Sequence, residues 1–210
     1  MKTVLLADDH EIIRLGIQMI IERNFGAHNF VVASTCKEVN QILSKEHVDY
    51  IVLDLFLADG NTFPLVDHIL GQYPGVSILV YTSSPETIYG KRLIQKGVRG
   101  FVCKQAGIAE VEQAICIFFN GGIYLSSELK EILAETNKKR AVDTLSDREL
   151  EVVEYLTMGM PIKEISYKMK VDATTVSHYR KRILSKLGVE NNIDLKEEFS
   201  LYKMLGKHNK

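Results

Sequence analysis

The chain has 210 residues, of which 46% are hydrophobic and 25% charged, and its formal net charge at neutral pH is −1. This length allows one large domain or two small ones, and the composition is that of an ordinary soluble globular protein. The apolar runs are too short to cross a bilayer, and the N-terminus turns acidic too early for a signal peptide, so a cytoplasmic location without membrane association is predicted. The three cysteines, Cys36, Cys103 and Cys116, are predicted to be reduced and buried, with a spacing unlike that of a zinc site.

Over residues 1–122, short apolar runs alternate with longer amphipathic segments. Nearly continuous apolar runs are typical of strands buried on both faces of a parallel sheet. Five repeats of a strand and a helix predict an α/β fold with a doubly wound, five-stranded parallel sheet. The predicted strands are Val4–Ala7, Phe30–Ala33, Tyr50–Leu53, Ser77–Tyr81 and Gly100–Cys103, and the first helix, Glu11–Phe25, is predicted to turn Ile12, Ile13, Ile17, Ile20 and Ile21 to one side.

The pattern changes after residue 122. Residues 123–142 are mostly polar, include a short helix and carry the basic cluster Lys138-Lys139-Arg140, which is typical of a linker. Residues 143–210 are predicted to form a small all-α domain of four helices. This interpretation divides the chain into a domain at 1–122, a linker at 123–142 and a second domain at 143–210.

Local signals mark the helices of the second domain. Ser146 and Glu149 form a capping box, in which each side chain satisfies a backbone amide of the other residue at the helix start. Asp172 is placed to cap the third helix, and Gly188 ends it. The first helix is predicted to begin near Ser146. The second and third are predicted to span Ile162–Met169 and Ala173–Leu187, and the fourth is predicted to run from Ile193 to about Met204.

Charge is distributed unevenly along this nearly neutral chain. Residues 1–122 carry ten basic and thirteen acidic side chains, whereas residues 168–187 carry six basic side chains and one acidic one. Such asymmetry predicts an acidic site in the first domain and a polyanion-binding face in the second.

Polar side chains follow the ends of four predicted strands. Asp8 and Asp9 follow the first strand, and Asp54 follows the third. Thr82 closes the fourth strand and Lys104 the fifth. With strand order 2-1-3-4-5 these ends meet in one crevice, where clustered carboxylates favour a hard divalent cation such as Mg²⁺. A carboxylate beside such a cation can attack phosphorus, and a nearby hydroxyl and ammonium can bind the phosphoryl oxygens that result.

The helix at Ala173–Leu187 has an apolar face and a basic face. Its apolar residues recur at helical spacing and are predicted to face the core: Val176, Tyr179, Ile183, Leu184 and Leu187. A basic face on a helix that follows a short helix and a tight turn suits a reader of the DNA major groove. Predicted DNA contacts are Ser177, His178, Lys181 and Arg182 on this face, with Lys163, Thr174, Thr175, Arg180 and Lys186 assigned to phosphates.

Together, Asp8, Asp9, Asp54, Thr82 and Lys104 resemble the acidic pair, phosphoacceptor, switch hydroxyl and lysine of the receiver domains of two-component response regulators. The resemblance covers about residues 1–122 and implies that a sensor histidine kinase phosphorylates Asp54. It also implies that Thr82 and Lys104 respond to the phosphoryl group.

The same resemblance implies a Mg²⁺ site and an aromatic switch. Asp9 would bind the ion directly and Asp8 through water, with Asp54 and the main-chain carbonyl of Phe56 also at the site. Phe101, three residues before Lys104, matches the aromatic residue whose rotamer follows the phosphorylation state.

Three positions depart from the receiver pattern. The family usually has Pro and Gly four and eight residues after the phosphoacceptor, where this chain has Ala58 and Thr62. Gln105 stands where Pro usually follows the lysine. These departures predict a differently shaped loop after Asp54 and concern the phosphotransfer rate and the choice of partner.

Residues 143–205 resemble the four-helix DNA-binding domain of the LuxR/NarL family. The resemblance is carried by Leu145-Ser146-Asp147-Arg148-Glu149, Lys163-Glu164-Ile165, Thr175-Val176 and Ile183-Leu184-Ser185-Lys186-Leu187-Gly188-Val189. The amino-acid sequence around Val176 is most similar to that of the branch that contains the RcsB, BvgA and EvgA regulators. The combination implies a transcription regulator that binds promoter half-sites, is controlled by phosphorylation and forms a homodimer on phosphorylation or DNA binding.

Other classes of function fit these motifs less well. A phosphohydrolase with an aspartyl-phosphate intermediate would need an Asp-x-Asp sequence after the first strand, and Ala7-Asp8-Asp9-His10 lacks it. A protein-binding or RNA-binding output conflicts with the helix-turn-helix pattern. The Ala58 and Thr62 departures leave open a receiver that dimerises without phosphorylation.

Overall fold

The computed structural model describes residues 1–134 and 140–205, with side chains as far as Ser200. Lys138 and Lys139 of the predicted basic cluster therefore lie outside the described residues, as does the end of the second predicted domain. The chain divides into two compact units, residues 1–132 and residues 133–210. None of the helices in the described part of the chain has the length and apolar character that a bilayer crossing requires.

The first unit contains a five-stranded sheet in which all neighbouring strands are parallel. Its order is β2-β1-β3-β4-β5, which confirms the predicted α/β doubly wound fold. Ala7 at the end of β1 lies opposite Leu53 at the end of β3, so the residues that follow both strands emerge side by side. The strands are β1 (Thr3–Ala7), β2 (Asn29–Ala33), β3 (Tyr50–Leu53), β4 (Ser77–Thr82) and β5 (Phe101–Cys103).

A helix follows each strand of this sheet. The first two are α1 (Glu11–Phe25) and α2 (Cys36–Lys45), and the others are α3 (Phe63–Gln72), α4 (Glu86–Lys96) and α5 (Ile108–Phe119). In α1, Ile17, Ile20 and Ile21 are buried as predicted and Ile13 packs against the core. The prediction is wrong for Ile12, which is 77% exposed because it lies at the edge of the apolar face.

Two features of this unit were not predicted. A short antiparallel hairpin, Phe56–Leu57 with Gly60–Asn61, follows β3 directly. After α5 the chain also returns to the sheet, where Tyr124 forms an isolated parallel bridge with Gly100 next to β5. A helix, α6 (Ser127–Ala134), follows and lies within the segment predicted to be a linker.

The second unit is helical, as predicted. After a 3₁₀ turn at Ala141–Thr144 come α7 (Asp147–Thr157), α8 (Ile162–Met169), α9 (Ala173–Leu187) and α10 (Asn192–Leu205). α9 packs against α7 and α8, and α10 packs against α7. The capping box of Ser146 and Glu149 is present in both directions, with the Glu149 carboxylate 2.7 Å from the Ser146 amide.

Two smaller predictions need correction. Asp172 occupies the N-cap position of α9, but its carboxylate accepts no helix amide among the described residues, so the cap is one of position only. Cys36, Cys103 and Cys116 are half-buried and not buried, because the first two lie at the ends of α2 and β5 and the third lies beside the buried face of α5. Gly188 does end α9, with the positive φ of 69° that glycine tolerates best.

Candidate functional site

Asp8 and Asp54 are buried at the carboxyl ends of β1 and β3, with 5% and 6% of their surfaces exposed. Two unscreened carboxylates in such a position repel one another. The Lys104 ammonium lies 2.6 Å from an oxygen of Asp8 and 2.6 Å from an oxygen of Asp54, and it balances them. The structure thus brings together three predicted site residues that are distant in the sequence.

The position of Lys104 fixes its charge. Burial alone would lower the pKa of this ammonium, but its hydrogen bonds to Asp54 and Asp8 outweigh the loss of water and hold the pKa above its ordinary value. Lys104 is therefore fully protonated at neutral pH. An anionic group that entered the pocket beside Asp8 and Asp54 could therefore form an ion pair with Lys104.

Asp9 lies at the rim of the same pocket and is more exposed than Asp8. Oxygens of Asp8 and Asp9 and a ring nitrogen of His10 all lie within 4.8 Å of one another, close enough to share a cation. His10 Nδ1 is 2.8 Å from Asp9 and 3.2 Å from Asp8. His10 was not among the predicted site residues, although it follows the two aspartates directly in the chain.

Thr82 is the last residue of β4, and Phe101 is the first residue of β5, where it pairs with Val80. Thr82 is 1% exposed, and its hydroxyl oxygen accepts a hydrogen bond of 3.3 Å from the Ser84 amide in the loop that leads to α4. Phe101 is fully buried. A displacement of either side chain would therefore have to move packed neighbours.

The loop after Asp54 is held to the predicted phosphoacceptor by two hydrogen bonds. The Phe56 amide donates to the Asp54 carboxylate at 3.3 Å. Thr62, fully buried, donates its hydroxyl to the Asp54 main-chain carbonyl at 2.7 Å. Thr62 is one of the positions that depart from the receiver pattern, so the departure supplies a contact that glycine could not make. The sequence indicated the departure at Thr62 but not this role.

The donor set of the pocket fits a hard divalent cation. The carboxylate oxygens of Asp8 and Asp9 are donors that Mg²⁺ prefers, and they lie close enough to share an ion with a ring nitrogen of His10. The hairpin after β3 begins at Phe56, the residue whose carbonyl was predicted as a further ligand. The pocket therefore offers carboxylate oxygens together with the Lys104 ammonium, which lies between Asp8 and Asp54.

In the second unit, α9 has the two faces predicted from its sequence. Val176, Ile183 and Leu187 are buried, and Tyr179 and Leu184 are half-buried beside them. The opposite face is exposed to solvent along its length and carries Ser177, His178, Lys181, Arg182 and Ser185. The Arg182 guanidinium lies 5.3 Å from the centre of the Tyr179 ring, which orients it on this face.

Two residues assigned to phosphates have partners inside the unit. The Arg180 Nε donates to the Asn192 side chain at 2.7 Å, which ties α9 to the start of α10. The Lys186 ammonium lies 2.7 Å from the Glu149 carboxylate and 3.0 Å from the Thr144 carbonyl. Burial would raise the pKa of Glu149, but the bonds from Lys186 and Ser146 prevail and lower it. Lys163 and Thr174 are exposed and Thr175 is half-buried.

Comparison with known families accounts for both units. Residues 4–116 match the response regulator receiver domain, and residues 143–197 match the bacterial regulatory proteins of the luxR family. The receiver match alone covers more than half of the chain.

Relatives and solved structures agree over nearly the full length. Response regulator UvrY of Escherichia coli strain K12 is 29% identical over 200 residues, 93% of this chain and 92% of the relative. The structure of RcsB from Salmonella enterica serovar Typhimurium bound to promoter rprA in the presence of the phosphomimetic BeF₃⁻ superposes with a TM-score of 0.74 at 27% identity, over 95% of this chain and 99% of that one. A structure of two RcsB dimers bound to two parallel DNAs has a TM-score of 0.59 at 26% identity, over 95% and 98% of the two chains.

Proposed function

Because the chain belongs to the response regulators, with a receiver domain followed by a luxR-family domain, we propose that phosphorylation of Asp54 controls the binding of duplex DNA by α9. One observation carries the first half of the proposal. Lys104 is held between the buried carboxylates of Asp8 and Asp54, where it can bind an oxygen of a phosphoryl group placed on Asp54.

The chemistry assigned to Asp54 is a phosphoryl transfer. A carboxylate oxygen of Asp54 attacks the phosphorus of a phosphohistidine on a sensor kinase, the P–N bond breaks, and the imidazole leaves and takes up a proton. The product is an acyl phosphate. Lys104 and the Thr82 hydroxyl are the groups assigned to the new phosphoryl oxygens. This is a modification of the protein and not the turnover of a free substrate.

A Mg²⁺ ion is assigned to Asp8, Asp9 and Asp54 with the Phe56 carbonyl. When bound, it supplies positive charge beside the attacking carboxylate and the incoming phosphate. Its assignment is supported by the closeness of the Asp8 and Asp9 oxygens. His10 lies at hydrogen-bond distance from both carboxylates.

DNA binding is assigned to the exposed face of α9. Ser177, His178 and Lys181 are proposed to contact bases and Arg182 to lie beside them, because all four side chains are exposed on one face of a helix supported by α7 and α8. Lys163, Thr174, Thr175, Arg180 and Lys186 are proposed to contact phosphates. Since RcsB is solved both as dimers and on promoter DNA, a homodimer on paired half-sites is proposed for this chain as well. The cytoplasmic location stays a prediction.

Labelling with acetyl phosphate in Mg²⁺ tests the phosphoacceptor. The full-length protein should incorporate one phosphoryl group that alkali and hydroxylamine remove, as expected of an acyl phosphate, and Asp54→Asn should incorporate none. Asp67→Asn is the matched control, because Asp67 is an exposed aspartate on α3 that pairs with Lys96 outside the pocket. Undiminished labelling of the Asp54→Asn variant would place the phosphoryl group elsewhere and overturn the proposal.

A further inference from the structure

Residues 123–132, which we call the strap, return from α5 to the open edge of the sheet. The Tyr124 amide donates to the Arg99 carbonyl at 2.9 Å, which extends β5 by one bridge. The Tyr124 hydroxyl donates to the Glu110 carboxylate on α5 at 3.0 Å, and only 5% of the Tyr124 surface is exposed. The start of the strap is therefore built into the receiver unit and is not a free linker.

Ser126 fixes the strap to the start of α4. Its hydroxyl donates to the Glu86 carboxylate, the first residue of α4, at 2.6 Å. The same oxygen accepts the Leu129 amide at 3.0 Å and so caps the first turn of α6. One side chain thus connects α4 to the start of the strap helix.

The strap packs against α4 at Gly90, where the absence of a side chain leaves room for Leu129. A Cβ at position 90 would lie 3.0 Å and 3.3 Å from the two methyl carbons of Leu129, and also 3.0 Å from the Glu86 Cγ. Leu129 is fully buried there. Glycine in the middle of a helix lowers helix stability relative to alanine. At Gly90, the missing side chain leaves a notch on α4 that Leu129 fills, and this contact offsets the loss in helix stability.

The strap contacts lie a short distance along the chain from Thr82. The Thr82 hydroxyl accepts the Ser84 amide, and Glu86 begins α4 two residues later. Ser84 is buried, so the loop between β4 and α4 has little freedom to absorb a change at Thr82. If Thr82 turns toward a phosphoryl group on Asp54, the Ser84 amide loses its acceptor and the start of α4 moves.

The docked strap also buries a carboxylate, that of Glu86, in an unfavourable electrostatic environment. One oxygen of Glu86 is buried and has no hydrogen-bond partner among the described residues. Glu110 and Glu128 lie near enough to repel its charge. If the strap served only to complete the fold, an apolar residue at position 86 would make the docked state more stable. The buried acid makes the docked state easy to release.

We propose that the strap is an intramolecular latch, docked on α4 through Ser126 and Leu129 in the unphosphorylated protein and released when Thr82 responds to phosphorylation of Asp54. The latch contacts stand on their own geometry, while the trigger rests on the proposed function. In the released state the notch at Gly90 and the edge of β5 become available, and the chain between the two units gains length.

Hydrogen–deuterium exchange of the full-length protein measures the latch directly. Gly90→Ala should accelerate exchange in the 123–132 peptide by about tenfold or more, because its methyl group displaces Leu129 while alanine favours α4 itself. Ser126→Ala should do the same by removing the bond to Glu86 and the cap of α6. Gly16→Ala is the matched control, since a Cβ at this mid-helix glycine of α1 meets nothing within 4 Å. Unchanged strap exchange in both Gly90→Ala and Ser126→Ala would overturn the latch.

Beryllofluoride with Mg²⁺ separates the latch trigger from the proposed function. The expected result is slower exchange in the peptide that contains Asp54 and faster exchange in the strap, with neither change in Asp54→Asn. Slower exchange at Asp54 with an unchanged strap would overturn the trigger and leave the proposed function standing. No change at Asp54 would overturn the proposed function and the trigger together, and the glycine variant would still decide whether the contacts hold the strap.

Discussion

Single side chains of the acidic pocket were predictable where their position followed from strand order. Asp8, Asp54 and Lys104 each follow a strand, and parallel strands end at the same edge of a sheet. Thr62 and Ser126 gave no such signal. Their hydroxyl groups act on partners that only the folded chain brings near, 8 and 40 residues away.

Thr62 should contribute to stability through its bond to the Asp54 carbonyl. Thr62→Val keeps the shape of a fully buried side chain and removes the donor, so it should lower the free energy of unfolding by about 1–2 kcal/mol in urea titrations. Ser44→Ala, at an exposed hydroxyl on α2, should change it little. A Thr62→Val variant as stable as the parent would deny the bond any part in holding the loop.

Glu86 should make docking of the strap dependent on pH. Burial, together with the repulsion of Glu128 and Glu110, outweighs the Ser126 hydrogen bond and raises the pKa of Glu86 to about 7. Because the docked state binds the proton more tightly than the released state, docking is favoured below the ordinary glutamate pKa and weakens as the pH rises through about 7.

Strap protection, corrected for the intrinsic pH dependence of amide exchange, should therefore fall as the pH rises through the raised pKa of Glu86, about 7. Glu86→Gln stays neutral and can still accept from Ser126, so its strap should remain protected at the upper pH. The peptide that contains β1 serves as an internal reference. A variant that loses protection in parallel with the parent would exclude Glu86 as the titrating group.

At the scale of elements, the bounds of α1, α8 and α9 were predictable because local signals set them. Pro161 precedes α8, and Gly188 ends α9 with a left-handed conformation. The hairpin at Phe56–Leu57 and Gly60–Asn61 was not predictable, since two-residue strands have no periodicity. The docking of α6 depends on the notch at Gly90, which exists only after α4 has formed.

The Lys186–Glu149 pair should stabilise the second unit at neutral pH. Lys186→Ala leaves the buried Glu149 carboxylate without its ammonium partner. It should lower the free energy of unfolding by about 1–2 kcal/mol, a modest amount because the lysine is partly solvated. The pKa of Glu149 is lowered in the fold, so this contribution is present above the ordinary glutamate pKa of about 4.3 and is lost as the pH falls through the lowered value.

Urea unfolding at neutral and acidic pH measures this difference. The gap between the parent and Lys186→Ala should close in acid, whereas Lys181→Ala, at an exposed lysine of the same helix, should match the parent at both pH values. A gap of equal size at both pH values would assign the effect of Lys186 to packing and not to its charge.

At the scale of the whole molecule, the two units carry complementary parts of one function. The first holds a buried pair of carboxylates around an ammonium, and the second exposes a basic helix face. The receiver and luxR-family matches cover these same two regions. Family resemblance was readable from the sequence because it rests on short motifs, but the coupling between a phosphoryl group and the rest of the chain depends on packing that motifs do not encode.

The most direct test of phosphorylation control is the affinity of the full-length protein for a duplex selected from a random pool, with and without beryllofluoride in Mg²⁺. We expect tighter binding by the parent when beryllofluoride is present, and no response from Asp54→Asn at the same salt concentration, because salt sets the phosphate contribution. Equal affinity of the parent in both conditions, with beryllofluoride bound at Asp54, would contradict the claim that this aspartate controls DNA binding.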